Sequence, residues 1–235
     1  MALPELNTAR YKVEIPSTGQ EVTYRPYLVK EEKILMMAME SSDNKVILQT
    51  TVDIIKSCIF DDIDVDGLTM FDIETLFLAL RSKSVGEKID LNMKCIKCDA
   101  KNEVLVDFDA IERPVVNHDE KKIMLTDTVG IVLKYPSVRD VDKFTSIGKN
   151  EVESAMDVMI SSIDSIFDEE NVWPAEQETA DSLKKFIDSL NSEQFTKLSQ
   201  FFNEMPALST KIEFKCVSCE EDNVHELRGL QSFFT

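Results

Sequence analysis

The chain has 235 residues, 43% of them hydrophobic, with 26 basic residues against 44 acidic ones and a formal net charge of −18. That length and apolar content suit one large or two small domains with a real core, and no apolar run approaches the ~18 residues that would span a bilayer. So negative a surface argues against nucleic acid and anionic membranes as partners, because both are held largely by Lys and Arg, and it leaves other proteins as the expected partners.

The first ten residues carry no basic segment leading into an apolar stretch, so no secretory signal is expected and the chain reads as a soluble, intracellular protein. Arg10 to Ile15 and Glu21 to Leu28 alternate apolar and polar residues around Pro16-Ser17-Thr18-Gly19, which predicts a hairpin. Lys30 to Glu40 and Lys45 to Cys58 then read as helices. The first is rich in methionine, with Met36, Met37 and Met39 spread more widely than one core stripe needs. Core filling is the first expectation for them, and an adaptable binding groove is the alternative. Thr69-Met70-Phe71-Asp72 has the spacing of a capping box and predicts a helix carrying Ile73, Leu76, Phe77 and Leu80. Ile89 to Lys94 and Glu103 to Phe108 read as strands flanking Cys95-Ile96-Lys97-Cys98.

A second pass repeats the order. Lys122 to Leu125 and Gly130 to Tyr135 read as strands, and Tyr135-Pro136 leads into a helix from Val138 to Phe144, much as Tyr24-Arg25-Pro26 leads into the first helix. The stripe of Val152, Ala155, Met156, Met159, Ile163 and Ile166 predicts one long amphipathic helix from Glu151 to Phe167. A loop around Trp173-Pro174 is followed by helices near Ala180–Leu190 and Ser192–Asn203. Thr210 to Lys215 and Val224 to Leu230 then flank Cys216-Val217-Ser218-Cys219. Met93 to Cys98 with Asn102 matches Phe214 to Cys219 with Asn223, each asparagine lying four residues past the second cysteine of its pair. The match points to an internal duplication, with halves at 1–112 and 113–235.

Cys-x-x-Cys at a hairpin turn aims two thiolates at one point, and a structural Zn²⁺ site takes four ligands in a tetrahedron. Two matched knuckles supply Cys95, Cys98, Cys216 and Cys219. The 117 residues between Cys98 and Cys216 are far more than a local zinc ribbon uses, so a shared site has to form by tertiary contact. The competing readings are disulfides, which an intracellular chain disfavours, a redox dithiol, which needs a helix N-terminus, and zinc shared between two molecules. The fifth cysteine, Cys58, falls on an apolar helical face and reads as a small buried hydrophobe.

Other chemistry is weaker. Asp62, Asp64, Asp66 and Gly67 imitate the start of an EF-hand loop, but Ile73 stands where the bidentate Glu belongs, so a solvated acidic turn is expected. His118 falls in a polar linker, and His225 reads as a surface strand residue within reach of the knuckles. No nucleophile elbow, glycine-rich phosphate loop or selectable carboxylate pair is present, so no enzyme is expected. Leu230-Gln231-Ser232-Phe233-Phe234 reads equally as a docked last strand or as an anchor for a partner.

Asp72-Ile73-Glu74, the run Leu76 to Glu87 leading into Cys95-x-x-Cys98, Leu133-Lys134-Tyr135-Pro136 and Gly229 to Phe234 together resemble the T-even-type bacteriophage baseplate hub assembly family. The resemblance covers nearly the whole chain. It implies a non-enzymatic assembly factor or chaperone of a contractile tail, working on hub and tape measure proteins in the host cytoplasm. A structural hub subunit retained in the virion's tail baseplate is the alternative, and a zinc-ribbon nucleic-acid binder is a more distant one. The expected architecture is an α+β protein of two pseudo-repeated halves, each a strand pair, a helical cluster and a Cys-x-x-Cys knuckle hairpin, joined by a shared zinc site.

Overall fold

The computed structural model describes residues 7–116, 121–144 and 151–229. In chain order the elements begin with β1 (Tyr11–Glu14), β2 (Glu21–Tyr24), α1 (Val29–Glu40), α2 (Asn44–Cys58), α3 (Met70–Ser84), β3 (Lys88–Lys94) and β4 (Lys101–Asp107). They continue with β5 (Lys122–Met124), β6 (Gly130–Leu133), α4 (Val138–Phe144), α5 (Glu151–Ser161), β7 (Ile163–Phe167) and β8 (Val172–Pro174). The last are α6 (Ala180–Asp188), α7 (Ser192–Asn203), β9 (Ser209–Lys215) and β10 (Asp222–Arg228). Helices are thus mixed with small antiparallel sheets, and none of the helices is long and apolar enough to cross a membrane among the described residues.

The chain divides into two compact units, one of Met1–Val115 with Ala207–Thr235 and one of Val116–Pro206. These units follow packing and cut the chain differently from the sequence halves 1–112 and 113–235. The last strands return to the first unit because their apolar side chains complete its core: Leu208 and Ile212 join Leu78, Leu91, Val106, Phe108 and Ile111 in one buried cluster. The chain leaves and re-enters this unit side by side, where Glu112 N–H donates to the Ser209 carbonyl at 2.8 Å.

Within the first unit, β1 and β2 form the predicted hairpin, closed by the Gly19 N–H to Ile15 carbonyl bond of 2.8 Å with Gly19 in the left-handed region (φ 69°). α1 packs on α2 and α2 on α3. Each starts at a cap: Glu31 accepts from Leu28 N–H (2.8 Å), Asp43 from Lys45 N–H (2.9 Å), and Thr69 and Asp72 form the predicted box. Asp72, fully buried, also accepts from Ser17 N–H at 2.9 Å and so ties the hairpin turn to α3. Arg25 reaches Glu31 at 2.9 Å, an ion pair nearly closed to solvent. The acidic stretch before α3 forms a short 3₁₀ turn at Val65–Gly67, with Lys56 bonded to both oxygens of Asp66 at 2.8 Å, in keeping with a solvated turn.

The second unit holds an antiparallel sheet in the order β5-β6-β7-β8, packed with α5, α6 and α7 around Ile131, Leu133, Ile163, Leu183, Ile187 and Leu198. Here the expected long helix is corrected: α5 ends at Ser161 and Ile163–Phe167 is a strand. Strand β6 is buried and needs a partner for its backbone groups on the side away from β5. The register runs Ile131↔Ile166, Val132↔Ser165, Leu133↔Ile163, so Asp164 bulges out of the ladder. The bulge turns Ile163 and Ile166 toward the same core although they stand three positions apart, and that spacing imitates a helix in sequence. Gly130 on β6 leaves room for the tip of the Phe167 ring, which a Cβ there would displace. The region expected as a loop at Trp173 is the edge strand β8, which follows a tight turn held by Asp168.

Candidate metal centre

The two cysteine segments fold alike. β3 and β4 pair from Lys88↔Asp107 to Lys94↔Lys101, and β9 and β10 from Ser209↔Arg228 to Lys215↔Asp222, so each hairpin ends one residue before its first cysteine. In the first knuckle Cys95 N–H donates to the Ala100 carbonyl (2.9 Å) and Asp99 N–H to the Cys95 carbonyl (3.0 Å). In the second, Cys216 N–H donates to the Glu221 carbonyl and Glu220 N–H to the Cys216 carbonyl at the same distances. Asp99 (φ 56°) and Glu220 (φ 58°) take the left-handed conformation at matched positions. The turn amides of Lys97 and Ser218 each point at the first sulfur of their own knuckle, at 3.4 Å.

The two knuckles interlock through the matched asparagines. Asn102 Oδ1 accepts from Val217 N–H at 2.9 Å, and Asn223 Oδ1 accepts from Ile96 N–H at 2.8 Å. Each side-chain amide also donates to a carbonyl of its own turn, Asn102 to Ala100 and Asn223 to Glu221, both at 2.8 Å. Both residues are buried, at 3% and 1% exposed. Sequence matching singles them out but gives them no role, since the amides they meet lie 115 and 127 residues away. An ion pair from Lys97 to Glu221 crosses the same interface.

This clasp brings all four predicted sulfurs together within 4.8 Å of one another. Cys95 Sγ lies 3.6 Å from Cys219 Sγ, and Cys98 Sγ 3.6 Å from Cys216 Sγ. A disulfide needs about 2.05 Å, and all five cysteines are free thiols. Four sulfurs at ~2.3 Å from one tetrahedral zinc would stand about 3.8 Å apart, close to the spacing found here. The set could therefore hold a soft, tetrahedral metal ion.

The electrostatics divide the sulfurs by position in the knuckle. Burial alone would raise Cys95, but the amides of Lys97 and Cys98 and the facing thiols bring it down to about 6. The amides of Cys219 and Ser218 lower Cys216 likewise. Cys219 accepts from the Glu221 amide, yet the thiol of Cys98, burial and the other two thiols together push it up to about 12. The first cysteine of each knuckle is thus the readier thiolate, and a dication at the centre would favour the thiolate form of all four.

The remaining candidates separate from this cluster. His225 is half-buried rather than a surface residue, its ring stacked on Phe214 with centroids 5.6 Å apart. His118 and the stretch 230–234 lie outside the described residues. Cys58 is buried, and that burial raises its thiol, as suits an apolar filler. Met36 and Met37 do not fill the core: they are 59% and 70% exposed on α1.

A family model described as T4 bacteriophage base plate protein matches residues 8–235. No curated protein and no solved structure matches significantly.

Proposed function

The chain belongs to the T4 bacteriophage base plate protein family, and from that membership we propose that it is a non-enzymatic assembly factor of the tail baseplate hub. In this reading it acts in the host cytoplasm as a scaffold or chaperone for hub and tape measure proteins. The family match over nearly the full chain is the observation that carries the reading. A protein-binding role is further supported by Met36 and Met37, which present flexible apolar side chains to solvent on α1. An amphipathic helix of the tape measure protein would suit such a surface.

The same proposal assigns one structural Zn²⁺ to Cys95, Cys98, Cys216 and Cys219. Its support is the four-sulfur cluster and the turn amides that favour thiolate. Zinc binding of ~10–16 kcal/mol would be coupled to folding and would fix the two knuckles in one arrangement. Four protein ligands leave no open position for a substrate, which fits a structural and not a catalytic role. The matched hairpins and their reciprocal asparagines also support a duplication with halves at 1–112 and 113–235.

Co-expression of the untagged chain with the hub and tape measure proteins of its phage tests the reading. Copurification with one of them is expected; separation from all of them would overturn it. The family description names the base plate itself, which favours a second reading as a subunit retained in the virion. Its presence in purified tails at a fixed ratio to other baseplate proteins would decide for that reading.

A further inference from the structure

The unit Val116–Pro206 carries a second surface unlike the rest of the chain. Between Lys149 and Lys184 the sequence places ten acidic residues and no basic one. Within this stretch the edge strand β8 presents Trp173, the chain's single tryptophan, at 40% exposure. Trp173 borders an open groove of about 380 Å³ whose other apolar walls include Ile166, Leu183 and Phe186. Asp168 and Glu178 stand among its lining residues. Asp168 is fixed there by the amides of Glu170 (2.9 Å) and Asn171 (2.7 Å), which also hold its carboxyl below the usual range. Neither carboxylate has a basic partner among the described residues. An adjoining hollow of about 850 Å³ shares Glu178 and Leu183 and is lined by further carboxylates, including Asp164 and Asp181, against Lys134 and Lys184.

We propose that this groove docks a basic segment of a partner protein, with an apolar side chain seated beside Trp173 and Lys or Arg side chains meeting Asp168 and Glu178. The charge selects the occupant. A second copy of a chain with net charge −18 would be repelled, as would nucleic acid, whereas a basic segment is steered in and held at the rim. The apolar walls then supply the anchor, and tryptophan is among the side chains enriched at such energetic centres. The inference names where and by what chemistry a partner binds, and so rests on the reading of the chain as a partner-binding hub factor.

Trp173 is its own reporter, because no other tryptophan contributes to the emission. The zinc-loaded full chain is titrated with a short peptide of alternating Lys and Leu, with a Glu–Leu peptide and with a Lys–Ser peptide, all lacking aromatic residues. A saturable change in Trp173 emission is expected for Lys–Leu alone, with binding of Lys–Ser weaker by about tenfold or more. The pair Asp168→Asn, which keeps the turn's acceptor, and Glu178→Lys should weaken Lys–Leu binding by about tenfold, while Glu14→Lys with Glu103→Lys in the other unit should not. No saturable change, equal binding of Lys–Ser, or equal loss in both pairs of variants would overturn the assignment. The peptide comparison on the unaltered chain needs no variant to fold. If hub or tape measure protein copurifies equally with the Asp168→Asn, Glu178→Lys chain, the groove assignment fails and the hub reading stands. If Lys–Leu binds as expected but the unaltered chain retrieves no hub or tape measure protein, the hub reading fails and the groove stands.

Discussion

Asn102→Ala removes one side of the clasp without touching a cysteine. The substitution takes away the acceptor of Val217 N–H (2.9 Å) and the donor to the Ala100 carbonyl (2.8 Å). At a net value of about 1 kcal/mol for each intramolecular bond, the loss is about 2 kcal/mol, and it rises where an amide is left buried without a partner. In urea, a slope of about 2 kcal/mol per molar converts this to a midpoint lower by about 1 M. The assay is urea unfolding of zinc-loaded chain by circular dichroism, read on the transition that shifts with added zinc. Asn223→Ala should match it closely, because its bonds to Ile96 N–H and the Glu221 carbonyl mirror those of Asn102. The double variant should lose less than the sum, since opening one side frees the other. Asn102→Asp keeps an acceptor but sets a carboxylate against the Ala100 carbonyl, next to four sulfurs, and should cost at least as much as Ala. A neutral Asn102→Ala beside a costly Asn223→Ala would refute the reciprocal clasp.

Arg25→Met should cost about 3 kcal/mol or more in a denaturant melt, because it leaves the buried Glu31 carboxylate with the Leu28 amide and, as its cation, the exposed Lys30. Its pH dependence has a definite sign. Burial works to raise Glu31, but the bonds from Arg25 and the Leu28 amide lower it overall. The pair's stability is therefore present above the usual glutamate value of about 4.3 and is lost as pH falls through the lower folded value. In Arg25→Met the influences of Arg25 that lower Glu31 are gone while the Leu28 amide and Lys30 remain, so the loss of stability as pH falls should be smaller than in the unaltered chain, which a series of melts across the acidic range would read. Gly130→Ala drives a methyl group against the tip of the Phe167 ring and should destabilise the unit Val116–Pro206 by about 1–3 kcal/mol in a thermal melt, with metal content unchanged.

Local rules were legible where the chemistry is local. Thr69 and Asp72 cap α3 as their spacing predicts, and the hairpin at Pro16–Gly19 closes on a left-handed glycine. The cysteine cluster was legible because two knuckles with matched flanks ask for one tetrahedral set, and the four sulfurs do meet. What escaped depends on distant or irregular pairing. Asn102 and Asn223 were visible as a match, but their work is done on amides in the other knuckle. The bulge at Asp164 gave Ile163 and Ile166 a helix-like spacing inside a strand. In sequence Arg25 is part of the strand Glu21 to Leu28 and of the Tyr24-Arg25-Pro26 lead into the first helix, because its partner Glu31 is defined by burial and not by spacing. Composition alone favours the core for Met36 and Met37, yet a helix that buries Leu35 and Ala38 turns them outward.

Elemental analysis of chain purified without a histidine tag, set beside Cys216→Ser, decides whether the four clustered cysteines hold a metal. One zinc per chain is expected, and in the variant a loss of both the metal and the cooperative unfolding of the unit that joins Met1–Val115 to Ala207–Thr235. Chain free of zinc, with the same stable transition in both proteins, would contradict it.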